Sequence, residues 1–235
     1  MKEIGLFCGT FNPIHLGHLL IAECARDQFA LTEVLFVTSP TPPHRSTGLL
    51  AGEERHRLVQ AAIKDNQHFQ ASRLELDRPG TSYTVDTVKQ VLEAQTEPSR
   101  VNLIIGGDNL PFLKDWHRSE ELLSLCRLIV VPRLRYLSEA QADAQLGQNN
   151  HAAVSQVVKT IAQTQPDHID HSLSAGHLGE FHLGPHEFKI VDFPGIAISS
   201  STIRKRIANH KTVLYMVPPA VDKIIRDSGH YKDPA

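Results

Sequence analysis

Short, nearly continuous apolar runs alternate along this chain with segments of helical periodicity, and that alternation is its strongest constraint. Ile4–Cys8, Val34–Val37, Val101–Ile105 and Leu128–Val131 read as buried strands, since a strand of a parallel sheet is covered on both faces and needs no polar side. Between them, Leu16–Phe29 sets Leu19, Leu20, Ala22, Ala25 and Phe29 at helical spacing, and Glu53–Lys64 and Thr84–Glu93 also read as helices. A further strand is expected over Phe69–Leu76, and a polar stretch with a helix ending at Ser124 precedes the Leu128 strand. Phe188–Phe193 returns as a strand, and Ser200–Ala208 and Pro218–Asp227 read as two closing helices. The expected fold is α/β and Rossmann-like: a doubly wound, mostly parallel sheet with flanking helices and closing C-terminal helices.

A length of 235 residues fits one large domain, and residues 1–235 read as one. Residues 137–186 differ in texture and read as an insertion or flap within it. Ala140–Gln165 is Ala/Gln-rich with Val154, Val157, Val158 and Ile161 on a helical period, and a Gly- and His-rich stretch follows. His168, His171, His177, His182 and His186 show no recognised ligand spacing, so no metal site is assigned to them. The apolar fraction of 41% with 21% charged residues is that of a globular chain rather than a disordered one. Twenty-four Lys+Arg against 26 Asp+Glu, a net charge of −2, argue against nucleic acid or an anionic membrane as partner, and any bound anion should be held locally. Cys8, Cys24 and Cys126 form no CxxC pair and read as reduced thiols of a cytoplasmic protein, without zinc. No apolar run reaches the ~20 residues of a membrane helix.

In an open parallel sheet, ligands bind beyond the carboxyl ends of the strands, where helix N-termini favour anions. The first such turn, Gly9-Thr-Phe-Asn-Pro-Ile-His-Leu-Gly-His18, contains neither GxGxxG nor a Walker A sequence. It offers instead a glycine for close backbone approach, the Thr10 hydroxyl, and two histidines at the start of a helix whose ring N–H groups suit one anionic group. The same pair also suits metal ligation or a polar place in the core. Ser199–Thr202, with Arg204 one turn on, sits at a late strand-to-helix turn, where hydroxyls and amides face an anion or simply cap the helix.

The first turn resembles the T/HxGH signature of the nucleotidyltransferase superfamily, and Ile198–Arg204 resembles its ISSTxIR motif. Pro42–Arg45 resembles PPHK, Ser82–Thr87 resembles SYTxDT, and Gly106-Gly-Asp-Asn109 with Trp116 resembles GxDxxxxxxxW. Together these segments resemble bacterial-type nicotinate mononucleotide adenylyltransferases over residues 1–136 and 187–235, including the tail from Val217 to Tyr231. The chain has Cys8 where that family commonly has glycine, Asn12 for aspartate, Arg45 for lysine and Ser201 for threonine. Arg45 keeps the charge but replaces a compact ammonium with a planar fork.

The resemblance implies transfer of AMP from ATP to nicotinate mononucleotide, giving nicotinate adenine dinucleotide and pyrophosphate in NAD biosynthesis. It assigns the catalytic roles to His15, His18, Arg204 and His44, with His18 nearest the α-phosphate. Gly9, Thr10, Phe11, Gly106, Ser200 and Ser201 complete the ATP site, Arg204 and the serines holding the β/γ end. On the acceptor side, Ser82, Tyr83 and Thr84 would receive the pyridine carboxylate at a helix start, and Trp116 would stack on the ring. His44 and Arg45 would reach the acceptor or the reacting phosphate, Asp108 the ribose hydroxyls and Arg133 the mononucleotide phosphate. Read alone, Trp116 is equally a packing residue, Asp108 a turn former, and His44–Arg45 an exposed loop pair. Mg²⁺ would bridge phosphate oxygens and need few protein ligands. Within the same chemistry, nicotinamide mononucleotide and phosphopantetheine are the alternative acceptors, and a nucleotide-binding regulator without turnover is the alternative of another class. The sequence does not choose between nicotinate and nicotinamide, and a homo-oligomer is compatible with it.

Overall fold

A computed structural model of the chain describes residues 1–40, 48–131, 180–183, 186–191 and 196–232. Seven strands form one sheet in the order β3-β2-β1-β4-β5-β7-β6. They are β1 Lys2–Gly9, β2 Glu33–Thr38, β3 Phe69–Ser72, β4 Ser99–Gly106, β5 Cys126–Val131, β6 Glu180–Leu183 and β7 His186–Ile190. All neighbours are parallel except the β6–β7 pair, which is antiparallel at the edge. The helices are α1 Leu16–Gln28, α2 Gly52–Ile63, α3 Thr84–Glu93, α4 Ser119–Leu125, α5 Ser200–Ala208 and α6 Pro219–Ser228, with a 3₁₀ helix over Gly107–Asp115.

Each face of the sheet carries its own core, as double winding requires. On one face Ala22 and Ala25 of α1, Leu58 and Val59 of α2, Ile203 of α5 and Val221 of α6 close over Val34, Phe36, Ile104 and Ile129. On the other, Val85 and Val88 of α3, Leu110 and Leu113 of the 3₁₀ helix and Leu122 of α4 cover Leu6, Val37, Leu103 and Val130. Ile104 thus packs on one side while Leu103 and Ile105 pack on the other, so both faces of β4 are apolar and the run reads without a polar alternation.

Two expectations are corrected. The third strand stops at Ser72 rather than Leu76, because the chain turns there: the Asp77 N–H donates to the Arg73 carbonyl at 2.9 Å. The stretch after β4 winds as a 3₁₀ helix, whose three-residue turn carries buried Leu110 and Leu113 on one side. Glu180–Leu183, inside the stretch read as an insertion, is a strand of the sheet's edge. The helix expected at 140–165 and His168, His171 and His177 lie outside the described residues. His182 and His186 fall on β6 and β7.

Among the described residues no helix is long and apolar enough to cross a membrane, and no disulfide links Cys8, Cys24 and Cys126.

Candidate active site

The order β3-β2-β1-β4-β5 reverses direction between β1 and β4, the crevice where doubly wound sheets take ligands. Gly9 ends β1 and Gly106 ends β4 at that point. From Gly9 the chain crosses to α1 on one face of the sheet, and from Gly106 to the 3₁₀ helix on the other.

The β1–α1 turn is held from within. A Cβ on Gly9 would stand 2.8 Å from the Phe11 ring, so glycine here admits that ring, which meets His18 edge-on at 5.2 Å between centroids. A Cβ on Gly17 would lie 3.0 Å from His15 Nδ1, so the glycine between the histidines makes room for the first. His15 is buried and caps α1, and its ring stacks on that of His18 at 3.7 Å. The main-chain N–H of His15 donates to His18 Nδ1 at 3.2 Å. A ring that accepts at Nδ1 carries its proton on Nε2, so His18 presents that nitrogen as a donor.

α5 docks on the same turn through bonds that span 187 and 192 residues of sequence. Ser199 caps it, accepting from the Thr202 N–H at 3.1 Å. Ser200 Oγ donates to the Pro13 carbonyl at 2.8 Å and Arg204 Nη1 to the Asn12 carbonyl at 2.8 Å. Ser201 is exposed, with its hydroxyl 3.0 Å from that of Ser199. Ser199 therefore caps the helix, while Ser200 and Arg204 bond the main chain of the first turn and knit the two turns together.

On the other side of the crevice, Tyr83 precedes α3 and is 40% exposed. Its ring stacks on His117 at 4.0 Å. Ser82 and Thr84 are half-buried beside it. Trp116 ends the 3₁₀ helix and packs partly buried against the core of that face, and Asp108 lies exposed in the first turn after β4. Arg118 pairs with Asp86 of α3, tying α4 to the same element. His44, Arg45 and Arg133 lie outside the described residues.

Arg55, His56 and Glu75 were not singled out in the sequence, and Asn12 only as a departure from the family pattern. Arg55 is wholly buried, and its guanidinium donates to three main-chain carbonyls: Leu50 at 2.9 Å, Thr10 at 2.6 Å and Ser39 at 2.8 Å. It staples the β1–α1 turn to the end of β2 and the start of α2. Burial lowers its pKa, but a guanidinium stays charged. Its signal was a charged residue on the apolar stripe of α2, three and four residues before Leu58 and Val59. Asn12 is a second hub: its Nδ2 donates to the Gly48 carbonyl at 2.8 Å, and its Oδ1 accepts from the Leu50 N–H at 3.3 Å and the Tyr231 hydroxyl at 2.8 Å. Buried His56 meets Thr38 Oγ1 at 3.3 Å through Nδ1, and burial lowers its pKa. Glu75 is buried beneath the start of α3, and burial raises its pKa.

No three His, Cys, Asp or Glu side chains among the described residues are grouped to hold a metal ion. The donors around the β1–α1 turn are imidazoles, a guanidinium, hydroxyls and amides, a set that matches phosphate oxygens rather than a hard cation.

The sheet order and the paired turns define a cytidylyltransferase-like protein, and the sequence model of that family matches residues 6–206. The chain belongs to the nicotinate-nucleotide adenylyltransferase family. It is 34% identical over 234 residues to a protein of Synechococcus sp. (strain JA-3-3Ab) described as a probable nicotinate-nucleotide adenylyltransferase, covering 99% of this chain and 96% of the relative. It is 35% identical over 235 residues to one of the same description from Shouchella clausii, covering 99% and 98%. Among solved structures, Plasmodium falciparum nicotinic acid mononucleotide adenylyltransferase complexed with NaAD shares the fold with a TM-score of 0.69 at 16% identity, over 100% of this chain and 99% of that one.

Proposed function

We propose that the protein transfers AMP from ATP to nicotinate mononucleotide, forming nicotinate adenine dinucleotide and pyrophosphate. A 5′-phosphate oxygen of the mononucleotide attacks the α-phosphorus of ATP, the bond from that phosphorus to the β-phosphate bridge oxygen breaks, and pyrophosphate leaves. A phosphate monoester is already a nucleophile at neutral pH, so the protein has to align two anions and stabilise the charge that spreads over the transferring and leaving groups.

The observation that supports this reading is the docking of α5 on the β1–α1 turn through Ser200 and Arg204, which joins at the switch point of the sheet the two elements assigned to phosphate. Within it His18, a donor through Nε2, serves the α-phosphate and His15 its neighbour. Arg204 serves the β/γ end with Ser200 and Ser201, and Gly9, Thr10, Phe11 and Gly106 wall the nucleotide. Tyr83, Thr84 and Ser82 take the pyridine carboxylate, Trp116 the ring and Asp108 the ribose; His44, Arg45 and Arg133 are assigned to the acceptor and its phosphate. No protein cage is assigned to Mg²⁺, which would come with ATP and would supply neutralisation of charge on the leaving pyrophosphate. Residues 137–186 are assigned as an insertion within one domain, and the protein works in the cytoplasm.

Pyrophosphate release with Mg-ATP and, in parallel, nicotinate mononucleotide, nicotinamide mononucleotide or phosphopantetheine tests the reading. The expected result is a kcat/KM preference for nicotinate mononucleotide, with kcat reduced roughly 10²-fold or more in His18→Ala. Turnover with another acceptor alone would overturn the acceptor assignment, and tight ATP binding without turnover on any of them would identify a regulator.

A further inference from the structure

We propose that Glu75 is a positioning residue for the acceptor: its carboxylate holds the Ser82–Thr87 segment in the shape that receives the mononucleotide. The inference rests on the assignment of that segment to the acceptor.

Two of the hydroxyls in Ser82-Tyr-Thr-Val-Asp-Thr87 are turned inward. Thr87 is fully buried and donates to Glu75 Oε1 at 2.8 Å, and Ser82 Oγ donates to the Glu75 main-chain carbonyl at 3.4 Å. A threonine hydroxyl has one hydrogen, and the carboxylate is nearer than its other acceptor, the Tyr83 carbonyl at 3.3 Å. The lone pairs of Thr87 Oγ1 take a third member of the set, Arg78 Nη1 at 3.0 Å, while Arg78 Nη2 reaches Gln90 Oε1 at 2.7 Å. One side-chain chain thus runs from Glu75 through Thr87 and Arg78 to the second turn of α3.

What it closes is an irregular loop. From Asp77 to Tyr83 the backbone is neither helix nor strand, and Gly80 sits at φ +81 with open space around its Cβ position. Such a loop has little packing to define it, and its shape rests on polar bonds at its ends. Its exit is Tyr83, partly exposed, which leads into the first turn of α3. A buried carboxyl costs free energy that an apolar side chain would not, and here it supplies a fixed acceptor directly under the turn that faces the ligand. Pre-ordering a loop raises affinity by removing an ordering cost from binding, and only the acceptor should register it, because the β1–α1 turn and α5 are held by a separate set of bonds.

The test compares Thr87→Val, which exchanges the hydroxyl for a methyl of similar shape, with Thr87→Ser, Glu75→Leu and Glu75→Gln in the full chain. Steady-state constants are measured for Mg-ATP and nicotinate mononucleotide, thermal unfolding for each variant, and equilibrium binding of nicotinate mononucleotide by calorimetry. Thr87→Val and Glu75→Leu are expected to raise the KM and Kd for nicotinate mononucleotide about tenfold with the KM for ATP within about twofold. Thr87→Ser and Glu75→Gln, which keep a hydroxyl and an oxygen acceptor, should return the acceptor constants to within about threefold of wild type. An equal rise in both KM values, unchanged acceptor constants in Thr87→Val, or losses that follow Tm alone would overturn the proposal. If the wild-type protein turns over no nicotinate mononucleotide, the functional reading fails on that result, and the calorimetric Kd still decides the role of Glu75.

Discussion

Arg55 and Glu75 are the two charged side chains most completely removed from water around the crevice, and they hold opposite sides of it. Arg55 donates to three main-chain carbonyls, and a hydrogen bond to a charged group contributes about 1.5–3 kcal/mol. Glu75 makes a shorter set of contacts and its burial shows in its titration. Desolvation raises its pKa above the ordinary 4.5, against the Thr87 hydrogen bond, the charge of Arg78 and a hydrogen bond with Cys8, which lower it. Burial also raises the thiol pKa of Cys8 on β1, which keeps the thiol neutral beside it. An acid whose folded pKa is raised keeps its proton in the native state after the unfolded chain has lost it. Its contribution to stability is therefore complete below the unfolded value and is lost as pH rises through the folded one. Glu75→Gln retains an acceptor for Thr87 and cannot ionise, so its Tm is expected to gain on wild type as pH rises above the ordinary 4.5. A difference between the two proteins that stays constant over that rise would mean that the burial of Glu75 has no titrating consequence.

At the scale of elements, the helix that joins the two halves of the site owes its start to one hydroxyl. Ser199 Oγ accepts the Thr202 N–H, and without it that amide at the start of α5 loses its side-chain acceptor. Ser199→Ala should cost about 1 kcal/mol, seen as a fall in Tm of about 2–4 °C for a chain of this size, whereas Ser201→Ala at the exposed neighbouring position should stay within about 0.5 kcal/mol. A Ser201→Ala loss equal to that of Ser199→Ala would place the cap elsewhere. This start was legible because capping is local: Ser, Thr and an apolar period stand together in the chain. The strands β1, β2, β4 and β5 were legible for a similar reason, as both of their faces are buried and the apolar run is unbroken. Their polar first residues, such as Lys2 and Ser99, are paired in the sheet and carry no hydrophobic signal. The end of β3 was not legible. Leu74 and Leu76 continue the alternation of a strand, yet Leu76 packs against Gly52, where a Cβ would come within 2.6 Å of it, and Arg73 turns outward to Glu53 and Asp77. The apolar pattern there encodes the seating of α2 rather than the length of a strand.

Across the whole molecule, the motifs of the site were readable because each is a short local string, and the bonds that join them were not, because their partners are far apart in the chain. Asn12 shows why. As a departure from the family's usual aspartate it reads as a tolerated change, but its amide donates to Gly48, which a carboxylate cannot do, while its oxygen accepts from Leu50 and from Tyr231. The last of these partners lies 219 residues away, on a tail that follows α6 after its left-handed cap at Gly229. Tyr231 is largely removed from water, which raises its pKa against the nearby charges of Arg204 and Arg55, so its hydroxyl stays protonated and available to donate. The end of the chain thereby closes on the first turn of the site, and folding of the tail and of that turn should be energetically linked. A double-mutant cycle of Asn12→Ala and Tyr231→Phe, read by urea unfolding, isolates that link because the bonds of Asn12 to Gly48 and Leu50 cancel from it. The expected coupling is about 1 kcal/mol, that of one net intramolecular hydrogen bond. Additivity within about 0.3 kcal/mol would show that the tail contributes packing alone, leaving Asn12 to join only the β1–α1 turn and the approach to α2.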